Sequence, residues 1–328
     1  MLPSPPPSSK RFFVADIKPQ DTVRTTFLVR SKGVQQAKNG RPYLVLTLAD
    51  RTGCIDTRVW AEDADALAST FREGDVVAVS GRAQWFQNRM QLVLDNLVAV
   101  DEPGPLEDFV PKADGDSLQR FAELVSVFET LECPWTRQVA LALLSNPEVA
   151  SRYPLSPAAK SIHHAYIGGL LLHSLTLVRL VQAVAPFYPR LNRSFLLFGA
   201  AFHDFGKIFE LSYEGNLGYT DEGRLVGHIA IGTVLLDREI QKIPNFPAEI
   251  EWQLKHLILS HHGKIEYGSP VKPQTLEAQL VHHLDDMDSK LNSIQELMDG
   301  EKSQARWTSV HRAYEAAYYR PVIKSSEE

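Results

Sequence analysis

The stretch FGAAFHDFGKIFEL, residues 198–211, sets a histidine and an aspartate side by side in an apolar run of helical spacing. Burying a charge is costly unless it is hydrogen-bonded or coordinated to a metal, so His203 and Asp204 require partners. The same kind of interruption recurs along the chain: His173 in GGLLLHSLTLV, His228 in LVGHIAIG, His261 and His262 closing LKHLILSHHG, and Asp285, Asp286 and Asp288 in AQLVHHLDDMDSKL. Any one of these is explained by a core histidine with a satisfied hydrogen bond. Together they are explained by a divalent metal, which draws neutral imidazole nitrogens and carboxylate oxygens inward from several helices of a bundle. Such a donor set suits Mn, Fe, Co, Ni or Zn, and softness does not choose among them.

The elements that must position these groups lie beyond residue 117, and all but one of the eleven histidines fall between His163 and His283. Segments 118–145, 158–184, 194–212, 225–243, 248–261, 275–298 and 302–319 carry apolar residues at helical spacing, punctuated by prolines from Pro134 to Pro270. This predicts an all-α bundle over 118–320 with almost no strand. Before it, DEPGPLEDFVPKADGDS (101–117) is rich in proline, glycine and acid and reads as a linker.

The first hundred residues have another character. PSPPPSS opens a tail, 1–11, expected to be disordered, with a second short tail at 321–328. Residues 22–32 alternate as a strand, 39–60 supply two more around a turn at Asp50 to Gly53, 62–74 has the composition of a short helix, and 75–100 gives two strands around Gln87 to Arg89. Three strands, a helix and two strands are the chain order of an OB-fold, an all-β barrel that binds oligonucleotides, here spanning 12–100. If Leu44, Leu46 and Leu48 face the core, then Tyr43, Arg58 and Trp60 face outward and can stack on bases or meet phosphates.

Composition limits the alternatives. The net charge of -6 excludes a generally polycationic nucleic-acid binder, yet between Arg11 and Trp60 nine basic residues face four acids, so the barrel is locally basic. Cys54 and Cys133 are too few and too far apart for a disulfide framework or a cysteine zinc site. The apolar runs are read as interrupted before the ~18 residues a membrane span needs, and the start lacks a signal peptide, so a cytoplasmic protein with no membrane partner is expected.

The order His173, His203-Asp204, Asp285 resembles the HD-domain metal-dependent phosphohydrolases, and HDFGK matches their central motif. An OB-fold joined to such a domain, with GKIFELSY, EGRLVGHI, SHHGKIEYGSP and HHLDDMDSKLN, resembles the YhaM-type 3'-5' exoribonucleases from about Phe12 to residue 320. The resemblance implies two ions, most simply manganese: one on His173, His203, Asp204 and Asp285, with Asp204 bridging to a second on His228 and His261. It implies 3'-5' hydrolysis of single-stranded RNA to nucleoside 5'-monophosphates and a homo-oligomer; single-stranded DNA stays open as a further substrate, since no residue here marks a contact to the 2'-hydroxyl. Lys207, four residues after His203, is then placed to neutralise a phosphate oxygen or a leaving group. His262 is expected behind His261 or on substrate, Ser269 of the Gly268-Ser269-Pro270 loop on phosphate, and Asp288 orienting a ligand or meeting a substrate hydroxyl. His163, His164, His256, His282, His283 and His311 are left to structure or surface. Two other readings use the same residues: a phosphodiesterase acting on nucleotides, cyclic dinucleotides or short oligonucleotides, and a noncatalytic nucleic-acid-binding regulator.

Overall fold

The computed structural model describes residues 10, 12–37, 39–61, 63–86, 89–102, 104–159, 166–212, 218–300, 305–311 and 313–321. Apart from Lys10 and Pro321, the two expected tails lie outside these residues, as do His163 and His164.

Five strands, β1 (Thr22–Gln36), β2 (Pro42–Asp50), β3 (Gly53–Val59), β4 (Val76–Phe86) and β5 (Arg89–Ala99), close a barrel in the order β1-β2-β3-β5-β4. A short helix, α1 (Ala64–Ser69), follows β3 and is capped by the Asp63 carboxylate. The long β1 pairs with β4 through its first half and with β2 through its second, with a register shift between Val29 and Ser31. That bend lets one strand serve both sides of the closure. The alternation holds as expected: Leu44, Leu46, Leu48, Ile55, Thr57 and Val59 are buried, and Arg58 lies on the opposite face.

Lys10, expected in a disordered tail, is buried instead. Its Nζ lies 2.8 Å from Asp50, donates to the Thr26 carbonyl and sits 3.8 Å from the centroid of the Phe27 ring. Burial pulls its pKa down to about 8, against the opposing hydrogen bond and charge of Asp50. Segment 101–117, expected as a linker, also carries core residues. Phe109 and Val110 pack with Leu28 and Val76 of the barrel and with Ile167, which forms a parallel bridge to Lys112. The amides of Ala113 and Ile167 donate to the carbonyls of Ile167 and Pro111.

The remaining helices are α2 (Ser117–Glu129), α3 (Pro134–Ser145), α4 (Pro147–Arg152), α5 (Gly169–Val184), α6 (Arg193–Phe202), α7 (Lys207–Glu210), α8 (Asp221–Val226), α9 (His228–Ile240), α10 (Ala248–Ser260) and α11 (Leu276–Gly300). Sequence spacing merged several of these. Segment 118–145 breaks before Pro134, which opens α3, and Pro147 likewise opens α4. The helix expected over 194–212 stops at Phe202, turns through His203 to Gly206 and restarts as α7. The helix expected over 225–243 is divided at Gly227, whose φ of 77° leaves α8 and starts α9. A two-stranded hairpin, β6 (Leu211–Ser212) with β7 (Gly218–Tyr219), interrupts a region that showed almost no strand signal.

The helix expected over 302–319 is absent among the described residues of that segment. Trp307 bridges Tyr319 and His311 bridges Ala316, with the chain reversing through Glu315 at a φ of 52°. Gly169–Phe187 proves long and apolar enough, by length and composition, to cross a membrane, against the expectation that no run was. In the fold it is a core helix, packed against α2, α6 and α11 with Leu170, His173, Leu177 and Val181 buried. Around it Phe128, Phe198, Phe202 and Phe205 form a chain of ring contacts with centroids 4.8 to 5.5 Å apart.

Candidate metal centre

Five helices deliver the polar insertions to one place. His173 comes from the middle of α5, His203 and Asp204 from the end of α6, His228 from the first residue of α9, His261 and His262 from the end of α10, and Asp285 from α11. Two groups result, His173, His203, Asp204 and Asp285, and Asp204, His228, His261 and His262, each with its donor atoms within 4.8 Å of one another. Asp204 belongs to both.

The outer nitrogens explain why the rings point inward. Nδ1 of His203 donates to the Gly199 carbonyl, His261 to Ile258, His262 to Tyr267, His228 to the Glu210 carboxylate and His173 to Asp288. With every Nδ1 a donor, a neutral ring presents the lone pair of Nε2 to the centre. Nε2 of His228, Nε2 of His261 and Oδ1 of Asp204 are buried and have no hydrogen-bond partner among the described residues, although each nitrogen is 3.4 Å from that oxygen. The Nε2 atoms of His173 and His203 lie 3.2 Å apart, a separation at which two lone pairs repel unless a cation or proton lies between them. Buried acceptors facing acceptors are what a divalent cation satisfies, so these residues fit the metal implied by the motif.

The charges point the same way. Burial opposes protonation of His203, but Asp204 and Asp285 outweigh it and push the ring up to about 10. His173 is raised in the same manner by its bonds to Asp285 and Asp288 against burial. Burial works against the Asp204 carboxylate, yet Lys207 and His203 hold it well below the carboxylate range; His203 and His173 do so for Asp285. This half of the cluster gathers positive charge. Burial lowers His261, and burial with the neighbouring His261 pushes His262 down to about 4, so these two rings stay neutral.

The expected residues sort clearly. His173, His203, Asp204, His228, His261 and Asp285 converge. Lys207 opens α7 with Nζ 2.7 Å from Asp204 Oδ2, and burial is offset by that carboxylate so that it stays charged. Asp288 stands behind His173, 2.7 Å from its Nδ1. His262, expected behind His261 or on substrate, instead joins the second group with it, its ring held by the Nδ1 bond to the Tyr267 carbonyl. Ser269 is buried, its Oγ has no partner among the described residues, and it is not among the described residues that line the cleft. Glu210 was missed. Its carboxylate accepts from both the Nδ1 and the backbone amide of His228, a contact made only when α7 and α9 meet; a lone acid in KIFEL was the available signal. His282, left to structure or surface, lines the cleft along with Tyr267, Asp286 and Ser289.

On the barrel, Trp60 is 44% exposed and stacks on Tyr43 at 4.7 Å, and the Arg58 guanidinium lies 5.5 Å from the Tyr43 ring and 5.0 Å from that of Phe86. Tyr43 is on the outward face but covered by these neighbours, so it supports the platform and does not form its surface. Phe86, at the end of β4, extends the exposed aromatic face beside Arg58 and was not singled out in the sequence; Trp85 before it is also exposed but alternates to the other side of the strand.

Residues 27–100 match the family described as an OB-fold nucleic acid binding domain, and residues 170–290 match the HD domain, a range that encloses the whole cluster from His173 to Asp288. The chain is 31% identical over 299 residues to the 3'-5' exoribonuclease YhaM of Bacillus subtilis, covering 90% of this chain and 94% of that one. It is 32% identical over 300 residues to the Bacillus velezensis protein of the same name, with the same coverage. With the Geobacillus protein of that name it shares 30% identity over 310 residues, 93% of this chain and 94% of the relative. With two domains matched and the alignment running nearly end to end, the chain belongs to the YhaM 3'-5' exoribonuclease family.

Proposed function

We propose that this chain is a metal-dependent 3'-5' exoribonuclease that removes nucleoside 5'-monophosphates from single-stranded RNA in the cytoplasm, with single-stranded DNA as a further substrate. One divalent ion would be held by His173, His203, Asp204 and Asp285, and a second by Asp204, His228, His261 and His262; manganese is the ion we favour. When bound, such a pair supplies Lewis acidity at the scissile phosphate and acidifies water near neutral pH, as phosphodiester hydrolysis requires. The chain does the rest. Glu210 and Asp288 fix the tautomer and tilt of His228 and His173. Lys207 keeps a positive charge beside Asp204 in the cleft wall, within reach of a nonbridging phosphate oxygen. Trp60, Arg58 and Phe86 hold a single strand by stacking and phosphate contact, which favours a polynucleotide over a mononucleotide. The boundaries we assign are 12–100 for the barrel and 118–320 for the helical domain.

The observation that carries this reading is the convergence of five imidazoles and two carboxylates on one place, where Nε2 of His228, Nε2 of His261 and Oδ1 of Asp204 are buried with no hydrogen-bond partner among the described residues. The test is a time course on 5'-labelled single-stranded RNA resolved to single nucleotides, with manganese, with EDTA and with Asp204→Ala. A ladder shortening from the 3' end, lost with EDTA and in the variant, is expected, while Asp204→Ala retains strand binding. An RNA left whole under all conditions refutes the reading.

A further inference from the structure

Among the described residues that line the cleft, Tyr267 contributes the one ring of a Phe, Tyr or Trp residue; the others are Ala158, Ser289 and charged or imidazole side chains. It is 62% exposed, so the fold does not use it as core, and its hydroxyl makes no hydrogen bond among the described residues. Its backbone, by contrast, is fixed to the metal cluster. The Tyr267 carbonyl accepts the Nδ1 proton of His262 at 2.7 Å, and Tyr267 ends a one-turn 3-10 helix, Ile265–Tyr267, closed by Gly268 at a φ of 96°. The amides of Tyr267 and Gly268 donate back to Lys264 and Ile265. The Lys264 ammonium lies 5.2 Å from the ring centroid, a contact that restrains the ring and leaves most of it open.

An exposed ring on a rigid turn, one residue's reach from a cluster nitrogen, is a stacking platform at a fixed distance from the reacting phosphate. We propose that Tyr267 stacks the base of the 3'-terminal nucleotide and so sets which phosphodiester enters the cluster, an inference that rests on the exoribonuclease reading. Every base has a π-face, so such a platform positions any terminal nucleotide while rejecting an end that lacks a base. Tyr267 is thus a positioning residue for substrate, distinct from the barrel face that holds the strand farther along.

The test compares kcat/KM on a 5'-labelled RNA with an ordinary 3' end and on the same RNA ending in an abasic ribose, for the parent chain, Tyr267→Ala and Tyr267→Trp. The parent is expected to lose about tenfold on the abasic end, Tyr267→Ala to fall about tenfold on the ordinary end with no further loss on the abasic one, and Tyr267→Trp to keep the discrimination. If the parent does not discriminate, or if Tyr267→Ala falls by the same factor on both ends, the platform is overturned and the exoribonuclease reading stands. A parent that shortens neither RNA with manganese overturns that reading and the platform with it.

Discussion

Replacing Gly206 by alanine places a methyl group where the backbone of α9 already lies. The added Cβ would sit 2.1 Å from the His228 carbonyl oxygen, 2.8 Å from the Gly232 amide nitrogen and 2.9 Å from the His228 carbonyl carbon. None of these is the end of a flexible side chain, so the start of α9 must retreat by about 1 Å, at an overpacking cost of roughly 1–3 kcal/mol. A domain with an ordinary stability of roughly 5–15 kcal/mol tolerates that and folds. The cluster does not tolerate it, because His228 is the first residue of α9 and its Nε2 is aimed at Asp204 Oδ1. Metal-ligand distances hold within about 0.2 Å, and a misplacement of about 1 Å costs on the order of 100-fold in rate. Calorimetric titration with manganese should show Gly206→Ala retaining one ion and binding the second weakly, with single-turnover RNA cleavage slowed on the order of 100-fold. Two ions at parental affinity and an unchanged rate would refute the argument that this glycine positions His228.

Glu210→Gln keeps the shape but weakens the acceptor behind His228, and should reduce affinity for the second ion by about 10- to 100-fold in the same titration, with little change in melting temperature. Trp60→Ala in the Asp204→Ala background should weaken fluorescence-anisotropy binding of a single-stranded oligonucleotide by roughly 1–3 kcal/mol; unchanged binding would remove Trp60 from the strand contact. Lys10 loses its proton near pH 8 in the fold but at 10.5 when unfolded, so between these values the unfolded chain binds more protons and this group's contribution to stability rises with pH. The gain is on the order of 3 kcal/mol across that window. Urea denaturation of the parent and Lys10→Met should therefore diverge from pH 8 to 10.5, and parallel profiles would contradict the buried pair.

Much of the centre was legible because burial makes polar residues conspicuous: a histidine among leucines, such as His173, can be singled out without any coordinates. The barrel was legible for a similar reason, since Leu44, Leu46 and Leu48 alternate with Tyr43, Val45 and Thr47. What escaped depended on where helices end and which ends meet. His262 is held toward the cluster by the carbonyl of Tyr267, past the end of α10; Glu210 matters because Gly206 allows α9 to approach α7. Segment 302–319 has helical spacing, but its residues pair across a reversal at Glu315, and apolar periodicity does not record such long-range pairing. Phe109 and Val110 were hidden inside a composition of proline and acid.

That last pair bears on how such a chain can be recombined. Because Phe109 and Val110 are seated against Leu28 and Val76 of the barrel and Ile167 of the helical part, a cut at residue 100 strips their cover and leaves an apolar scar on the catalytic half. A truncation or barrel exchange is cleaner if residues 101–113 travel with the helical part and the incoming barrel offers apolar side chains at the positions of Leu28 and Val76. The two halves are therefore not interchangeable cassettes, and chimeras in this family should be selected by that seam before they are judged by activity.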